Sequence, residues 1–329
     1  MIIAELDSLD RLLPVIDEWR GLWFECASAP PFLSPEWLMP WWKSFGGGRL
    51  CVLTAREGAR LVGLAPLFVY ENKDNERSLA FIGTGISDYL GVLSAPGFEM
   101  EFALALLGWM TKEARDWDLC SLEEIREGSP ILDVDIRPPS GYAANISLQS
   151  TCPALLLPDS TRGFYGLLSN DLRRKFMKGK RELEGAGRVE VEEAEEETVS
   201  VFISELLELH GRRRGAPARE EALKAFHIEA ARGLKRLGCL GLKRLLFNGE
   251  TASVLYTFKR RGRVYCYMTA FDGRLSWYSP GRYLMARSVE EAIGAGFEVF
   301  DFMRGAEPYK YAWGATDTFN YRLNIVRQT

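Results

Sequence analysis

The stretch Tyr278-Ser279-Pro280-Gly281-Arg282-Tyr283-Leu284 marks a passage from strands into a helix. Three strand-like runs precede it, Cys239–Phe247, Ala252–Lys259 and Arg263–Ala270. Asn248-Gly249 between the first two is a tight hairpin turn, and Arg260-Arg261-Gly262 makes a polar turn before the third. Downstream, the pattern predicts a helix from about 281 to 295, a strand over Glu298–Met303 and a last strand near Asn320–Val326. A sheet that is antiparallel and then gains a strand after a crossover helix must splay there. Its strand ends and the helix start then border one cleft. Pro280 sets the helix entry, Gly281 permits close backbone approach, and the free amides of the first turn carry partial positive charge. Such a start suits a phosphate or pyrophosphate, with Arg282 as an added cation, although a plain helix start fits the same residues. No GxxxxGK[ST] occurs, so a P-loop is excluded.

Beyond the next strand comes the densest mixture of polar and aromatic residues, Phe300-Asp301-Phe302-Met303-Arg304-Gly305-Ala306-Glu307-Pro308-Tyr309-Lys310-Tyr311. Asp301 on an apolar strand needs a partner if buried, and Arg304 is the nearest in sequence. Glu307, Tyr309, Lys310 and Tyr311 are able to supply a base and an acid. His210 closes a helix, where a structural role is favoured, and no Gly-x-Ser-x-Gly elbow occurs. Covalent nucleophilic catalysis therefore lacks support.

The first half of the chain repeats this order. Helices are expected over 7–27 and 34–45, the second opened by Ser34-Pro35-Glu36-Trp37. Trp19, Trp23, Trp37, Trp41 and Trp42 crowd this stretch, as core packing or as the lining of a groove. Strands follow at Leu50–Thr54, Leu61–Val69 and Ser78–Ile82, then a helix over about 99–116 and a strand over Asp118–Ile125. Pro96-Gly97 precedes the first helix as Pro280-Gly281 opens the second. Ile125-Arg126-Glu127-Gly128-Ser129-Pro130 repeats the Arg-to-Pro offset of Met303-Arg304-Gly305-Ala306-Glu307-Pro308. The order favours two copies of one α/β unit with mixed sheets, joined around Ser150–Asp159. Past the joint lie a helix over about 161–184, rich in Arg and Lys, and an acidic run, Glu190–Glu197. Helices over about 197–213 and 219–237 complete the second half.

Composition narrows the function. With 329 residues the chain is long enough for two domains, and a formal charge of −4 argues against a general grip on nucleic acid. Only two histidines, His210 and His227, are present, too few for a His-rich metal site. Six cysteines without CxxC spacing point to buried thiols in a cytoplasmic protein. No run reaches the ~20 apolar residues of a membrane span.

Taken in order, several tags resemble those of the CelD-like acetyltransferases of the GNAT superfamily, relatives of the FemAB transferases. They are Pro31-Phe32-Leu33-Ser34-Pro35-Glu36-Trp37-Leu38, Ser87-Asp88-Tyr89-Leu90 and Asp171-Leu172-Arg173-Arg174-Lys175, then Tyr278-Ser279-Pro280-Gly281, Asp301-Phe302-Met303-Arg304-Gly305 and Glu307-Pro308-Tyr309-Lys310-Tyr311. The resemblance implies two tandem GNAT-like acyltransferase domains, 1–155 and 156–329, the second holding the donor. The donor expected is acyl-CoA, acetyl-CoA first, with no metal. The acceptor expected is a small-molecule, sugar or peptide amine, in polysaccharide or envelope metabolism. By that resemblance Ser279, Pro280, Gly281, Arg282, Tyr283 and Leu284 hold the CoA pyrophosphate, and strand amides at Met268, Thr269 and Ala270 stabilise the oxyanion. Tyr309 or Tyr311 protonates the departing thiolate, Glu307 or Asp301 takes the amine proton, and Asp88, Tyr89, Arg304 and Lys310 hold the substrate. The helix start departs from the Arg/Gln-x-x-Gly-x-Gly/Ala pattern common in GNAT proteins, having one Gly followed by Arg282 and Tyr283. An aminoacyl-tRNA donor, as in FemAB proteins, and a non-catalytic accessory role therefore stay open.

Overall fold

The computed structural model describes residues 1–111, 116–134, 141–214 and 220–327. The chain divides into two units, Met1–Thr151 with Phe319–Thr329, and Cys152–Thr318. The first unit takes in β1 (Ile3–Leu6), α1 (Leu9–Leu12), α2 (Ile16–Glu25), α3 (Pro35–Phe45), β2 (Arg49–Leu50), β3 (Val52–Glu57) and β4 (Arg60–Ala65). It continues through β5 (Leu67–Glu71), β6 (Arg77–Phe81), β7 (Leu93–Ser94), α4 (Glu99–Met110), β8 (Leu119–Arg126) and α5 (Pro130–Asp133). The strand β9 (Tyr142–Leu156) contains the division between units. The second unit holds α6 (Thr161–Leu167), α7 (Asn170–Ala186), β10 (Val189–Glu193), α8 (Val199–Arg214), α9 (Glu220–Arg236), β11 (Leu240–Phe247) and β12 (Glu250–Arg260). After it come β13 (Arg263–Phe271), α10 (Pro280–Gly294), β14 (Val299–Asp301) and α11 (Pro308–Ala312), and β15 (Thr316–Arg327) carries the chain back to the first unit.

In the first unit β1, β3, β4 and β7 form one antiparallel sheet. The strands β2, β5, β6, β8 and β15 lie side by side in another. The run Leu61–Val69, expected as one strand, is two, because Pro66 has no N–H to give to a ladder. β4 and β5 thereby enter different sheets. The tryptophans are core: Trp19, Trp23 and Trp37 are fully buried, and their indole N–H groups donate to the Leu33 carbonyl, the Pro30 carbonyl and the Ser87 hydroxyl. Buried indoles need such partners. α4 ends at Met110, short of the helix expected over 99–116, of which 112–115 lie outside the described residues.

In the second unit β10, β11, β12 and β13 run antiparallel, β14 joins β13 in parallel, and the end of β9 closes on β14. The acidic run hides a strand. Lys243 and Arg244 of β11 meet Glu193 and Glu192 across the ladder, which balances the charge of the acidic strand. The expected helix over 161–184 is two helices. The break falls at Ser169, whose hydroxyl accepts the Leu172 N–H at 3.2 Å and caps α7. Ser150–Asp159 is largely strand, with Leu155 and Phe300 paired at its core. All six cysteines are buried and free.

Two outcomes follow from this packing. A Cβ added at Gly63 of β4 would lie 2.4 Å from the ring of the fully buried Phe102 on α4. Gly63→Ala is expected to destabilise by about 1–3 kcal/mol, read as a lower urea midpoint, and an unchanged midpoint rejects the tight contact. His227, packed among Phe226, Tyr256 and Tyr267, is held neutral, its pKa pushed down to about 3 by burial. The unfolded chain takes up this proton near pH 6.5 and the folded one does not, so the stabilisation it contributes is present above 6.5 and lost as pH falls towards 3. Unfolding free energies measured between pH 3 and 6.5 should rise by up to about 1.4 kcal/mol per pH unit on this account, and His227→Gln should flatten that slope.

Candidate acyl-transfer site

The second unit's sheet opens where the parallel ladder of β13 and β14 stops. β13 and β14 pair as Arg263–Val299, Val264–Phe300 and Tyr265–Asp301, and end there. β13 runs on to Phe271, still paired with β12. A bulge at Tyr267, where the partners jump from Cys266 to Met268, bends β13 just past the last parallel pair. The two strands part, and Met268, Thr269 and Ala270 lie on the departing stretch, Ala270 buried and the other two half-buried.

Asp301 sits at the parting, fully buried. One carboxylate oxygen accepts from the Arg263 guanidinium at 2.8 Å and the other from the Met303 N–H at 2.9 Å. The carboxylate thus reaches Arg263 on the neighbouring strand, a partner that sequence proximity did not suggest. Met303 has a left-handed φ of 62° and Gly305 one of 110°, so the chain turns sharply. Lys310, only 3% exposed, ties this turn shut. Its ammonium donates to the carbonyls of Met303, Arg304 and Gly305 at 3.1, 2.7 and 3.0 Å, and Glu307 pairs with it at 2.9 Å. Lys310 spends its donors on its own backbone, a different use from holding substrate.

Tyr309 follows directly. The residue is 40% exposed, yet desolvation acts on its phenol and raises the pKa, with Cys266 and Glu307 pushing the same way. Tyr309 lies in α11, two residues past the exposed Glu307. Burial pushes the Cys266 thiol up to about 12, so it is no thiolate at neutral pH. Tyr311 points elsewhere, its hydroxyl donating to Asp317 at 2.7 Å.

Ser279, with a left-handed φ of 53°, turns the chain from the 3-10 segment Gly273–Tyr278 into α10, and Pro280 takes the first helical position. The Arg282 and Tyr283 amides fold back to the Ser279 carbonyl at 3.0 and 3.2 Å. A Cβ at Gly281 would stand 3.1 Å from the Phe271 ring, so the glycine lets α10 start close to the end of β13. Arg282 is exposed, Leu284 is core, and the Tyr283 hydroxyl donates to Glu184 of α7.

Asp88 and Tyr89 belong to the first unit's interior. Tyr89 is fully buried with Arg126 5.5 Å over its ring, and the Asp88 carbonyl accepts from Asn320. The same Asn320 amide donates to Glu124, which also accepts from Ser150. Arg263 and Cys266 were not singled out from the sequence, because what places them is a ladder to a strand over thirty residues away. The described residues hold no group of three or more His, Cys, Asp and Glu able to take a metal, and no helix long and apolar enough to cross a membrane.

Residues 170–311 match the family model of the acetyltransferase (GNAT) domain, so this part of the chain is similar to that domain. No curated protein matches it in sequence. Among solved structures it is similar to FemX, at 10% identity and a TM-score of 0.67, covering 98% of this chain and 97% of that one. A conserved protein of unknown function from Bacteroides thetaiotaomicron is similar at 10% identity and TM-score 0.62, covering 99% and 100%. The C-terminal domain of a putative lysylphosphatidylglycerol synthetase from Agrobacterium fabrum gives 11% identity and 0.57, covering 95% and 91%. At such identities the likeness is one of fold.

Removing the Lys310 ammonium leaves three carbonyls of the turn without their donor. Lys310→Met is expected to cost about 2–3 kcal/mol in urea unfolding, and a variant as stable as the parent rejects this reading of the turn.

Proposed function

We propose that the second unit transfers an acyl group, acetyl first, from acyl-CoA to an amine, by direct attack of the amine on the thioester. The observation that carries this reading is the end of the β13–β14 ladder at Tyr265–Asp301, from which β13 runs on to Phe271 while the turn closed by Lys310 leads into Tyr309. An extended thioester arm would lie in the gap and take the amides of 268–270 as hydrogen-bond donors. The pyrophosphate would rest at the start of α10, which Gly281 lets approach the end of β13.

The amine nitrogen bonds to the thioester carbon, the carbon–sulfur bond breaks, and the amine gives up a proton. Glu307 is assigned that proton: it is exposed and adjoins Tyr309. Asp301 is assigned a positioning role, since both its oxygens already accept bonds from Arg263 and Met303. Tyr309 gives its proton to the leaving thiolate. The raised pKa suits this, because the phenol stays protonated through the neutral range. The acceptor is an amine on a sugar, a peptide or a small molecule, and envelope or polysaccharide metabolism is the setting that uses such acylations.

The test is release of free thiol from acetyl-CoA against a panel of amines. Turnover with at least one amine is expected, whereas transfer only from a charged tRNA would overturn the donor. Tyr309→Phe is expected to lower kcat by about 10²-fold or more. That loss should shrink with an acetyl thioester of an acidic aryl thiol, which leaves without a proton. An unchanged kcat with acetyl-CoA rejects Tyr309 as the acid.

A further inference from the structure

Trp277 is 76% exposed, an unusual position for the largest apolar side chain in a protein that buries most of its other tryptophans. It stands on the 3-10 segment two residues before Ser279, where α10 opens. The neighbour across from it is α7. Lys178 brings its ammonium 6.0 Å from the Trp277 ring centroid, and Lys180 brings its own 5.9 Å from that of Tyr283. Residues two apart on a helix project to different sides. The two lysines therefore straddle the segment between Trp277 and Tyr283. Gly179 between them lies against this segment, since a Cβ there would be in ordinary contact, 3.4 Å, with the Tyr278 carbonyl oxygen.

The charge around this platform runs against that of the chain. α7 carries six cations, Arg173, Arg174, Lys175, Lys178, Lys180 and Arg181, against three carboxylates, Asp171, Glu182 and Glu184. The whole protein has a formal charge of −4. Some of these cations are spent locally, Arg174 and Lys175 on Asp171 and Lys178 at 3.6 Å from Glu182, but the excess remains positive and open to solvent. An indole face in water, flanked by ammonium groups, has the chemistry of a seat for a purine that carries phosphates. One indole offers a stack for one base, whereas proteins that track a nucleic-acid strand line up several aromatics.

We propose that Trp277, Lys178 and Lys180 seat the phosphorylated adenosine end of the acyl donor, with adenine on the indole and the 3′-phosphate on the lysines. This rests on the acyl-CoA reading above, and extends the donor's path from the start of α10 onto α7. CoA suits the spacing because its pyrophosphate joins the pantetheine arm directly to the adenosine.

Calorimetric titration of the full chain with CoA, 3′-dephospho-CoA and pantetheine tests it. CoA is expected to bind more tightly than 3′-dephospho-CoA, and pantetheine most weakly. Trp277→Ala should lower the ratio of CoA to pantetheine affinity about tenfold, and Lys178→Gln should narrow the preference for CoA over 3′-dephospho-CoA. Both side chains are exposed, so an unchanged melting temperature confirms that the variants fold. If both variants bind CoA within twofold of the parent, the seat is overturned while the acyl-CoA reading stands. If the parent binds neither CoA nor pantetheine at millimolar ligand, the donor reading falls and the seat falls with it.

Discussion

The buried carboxylate of Asp301 is the constraint on which the second unit's site depends. It accepts from Arg263 on β13 with one oxygen and from the Met303 amide with the other. The first bond ties the end of β14 to the start of β13 across their parallel ladder, and the second starts the turn that leads the chain away from the sheet. A carboxylate with no solvent contact is costly unless both oxygens are satisfied, and removing either partner leaves an uncompensated buried charge. The strands therefore separate at one defined place.

The turn past Asp301 is closed in the same manner, by a buried cation over backbone oxygens. Lys310 gathers the carbonyls of Met303, Arg304 and Gly305, which a left-handed Met303 and a glycine aim inward together. Glu307 and Tyr309 flank Pro308 where this turn enters α11. A buried anion and a buried cation thus fix the backbone from which Glu307 and Tyr309 project. Neither charge needs to touch substrate to matter.

Much of this was readable in the chain. Asn248-Gly249 announced the hairpin of β11 and β12, whose turn needs left-handed residues, and both have positive φ. Pro280 after Ser279 announced α10, and the Arg-Pro tags marked the two turns that follow parallel strands. What misled was equally local. The glutamates of 190–197 masked β10, since their charge is balanced by Lys243 and Arg244 some fifty residues on. Arg263, which bonds Asp301 from the neighbouring strand, lies too far away in sequence to have been suggested by proximity.

By itself the sequence determined the order of helices and strands, the residue types gathered after β14, and the tags that resemble GNAT proteins. Those features rest on periodicity, turn chemistry and capping, which act over a few residues. Only the tertiary structure decided the roles within that set: Lys310 holding a turn, Asp301 bonded to Arg263 of the neighbouring strand, and Tyr311 bonded to Asp317. It also returned the last strand to the first unit. The reason is physical. Burial and partnership arise between residues far apart in the chain, and they settle whether a charged side chain supports the backbone or faces a ligand.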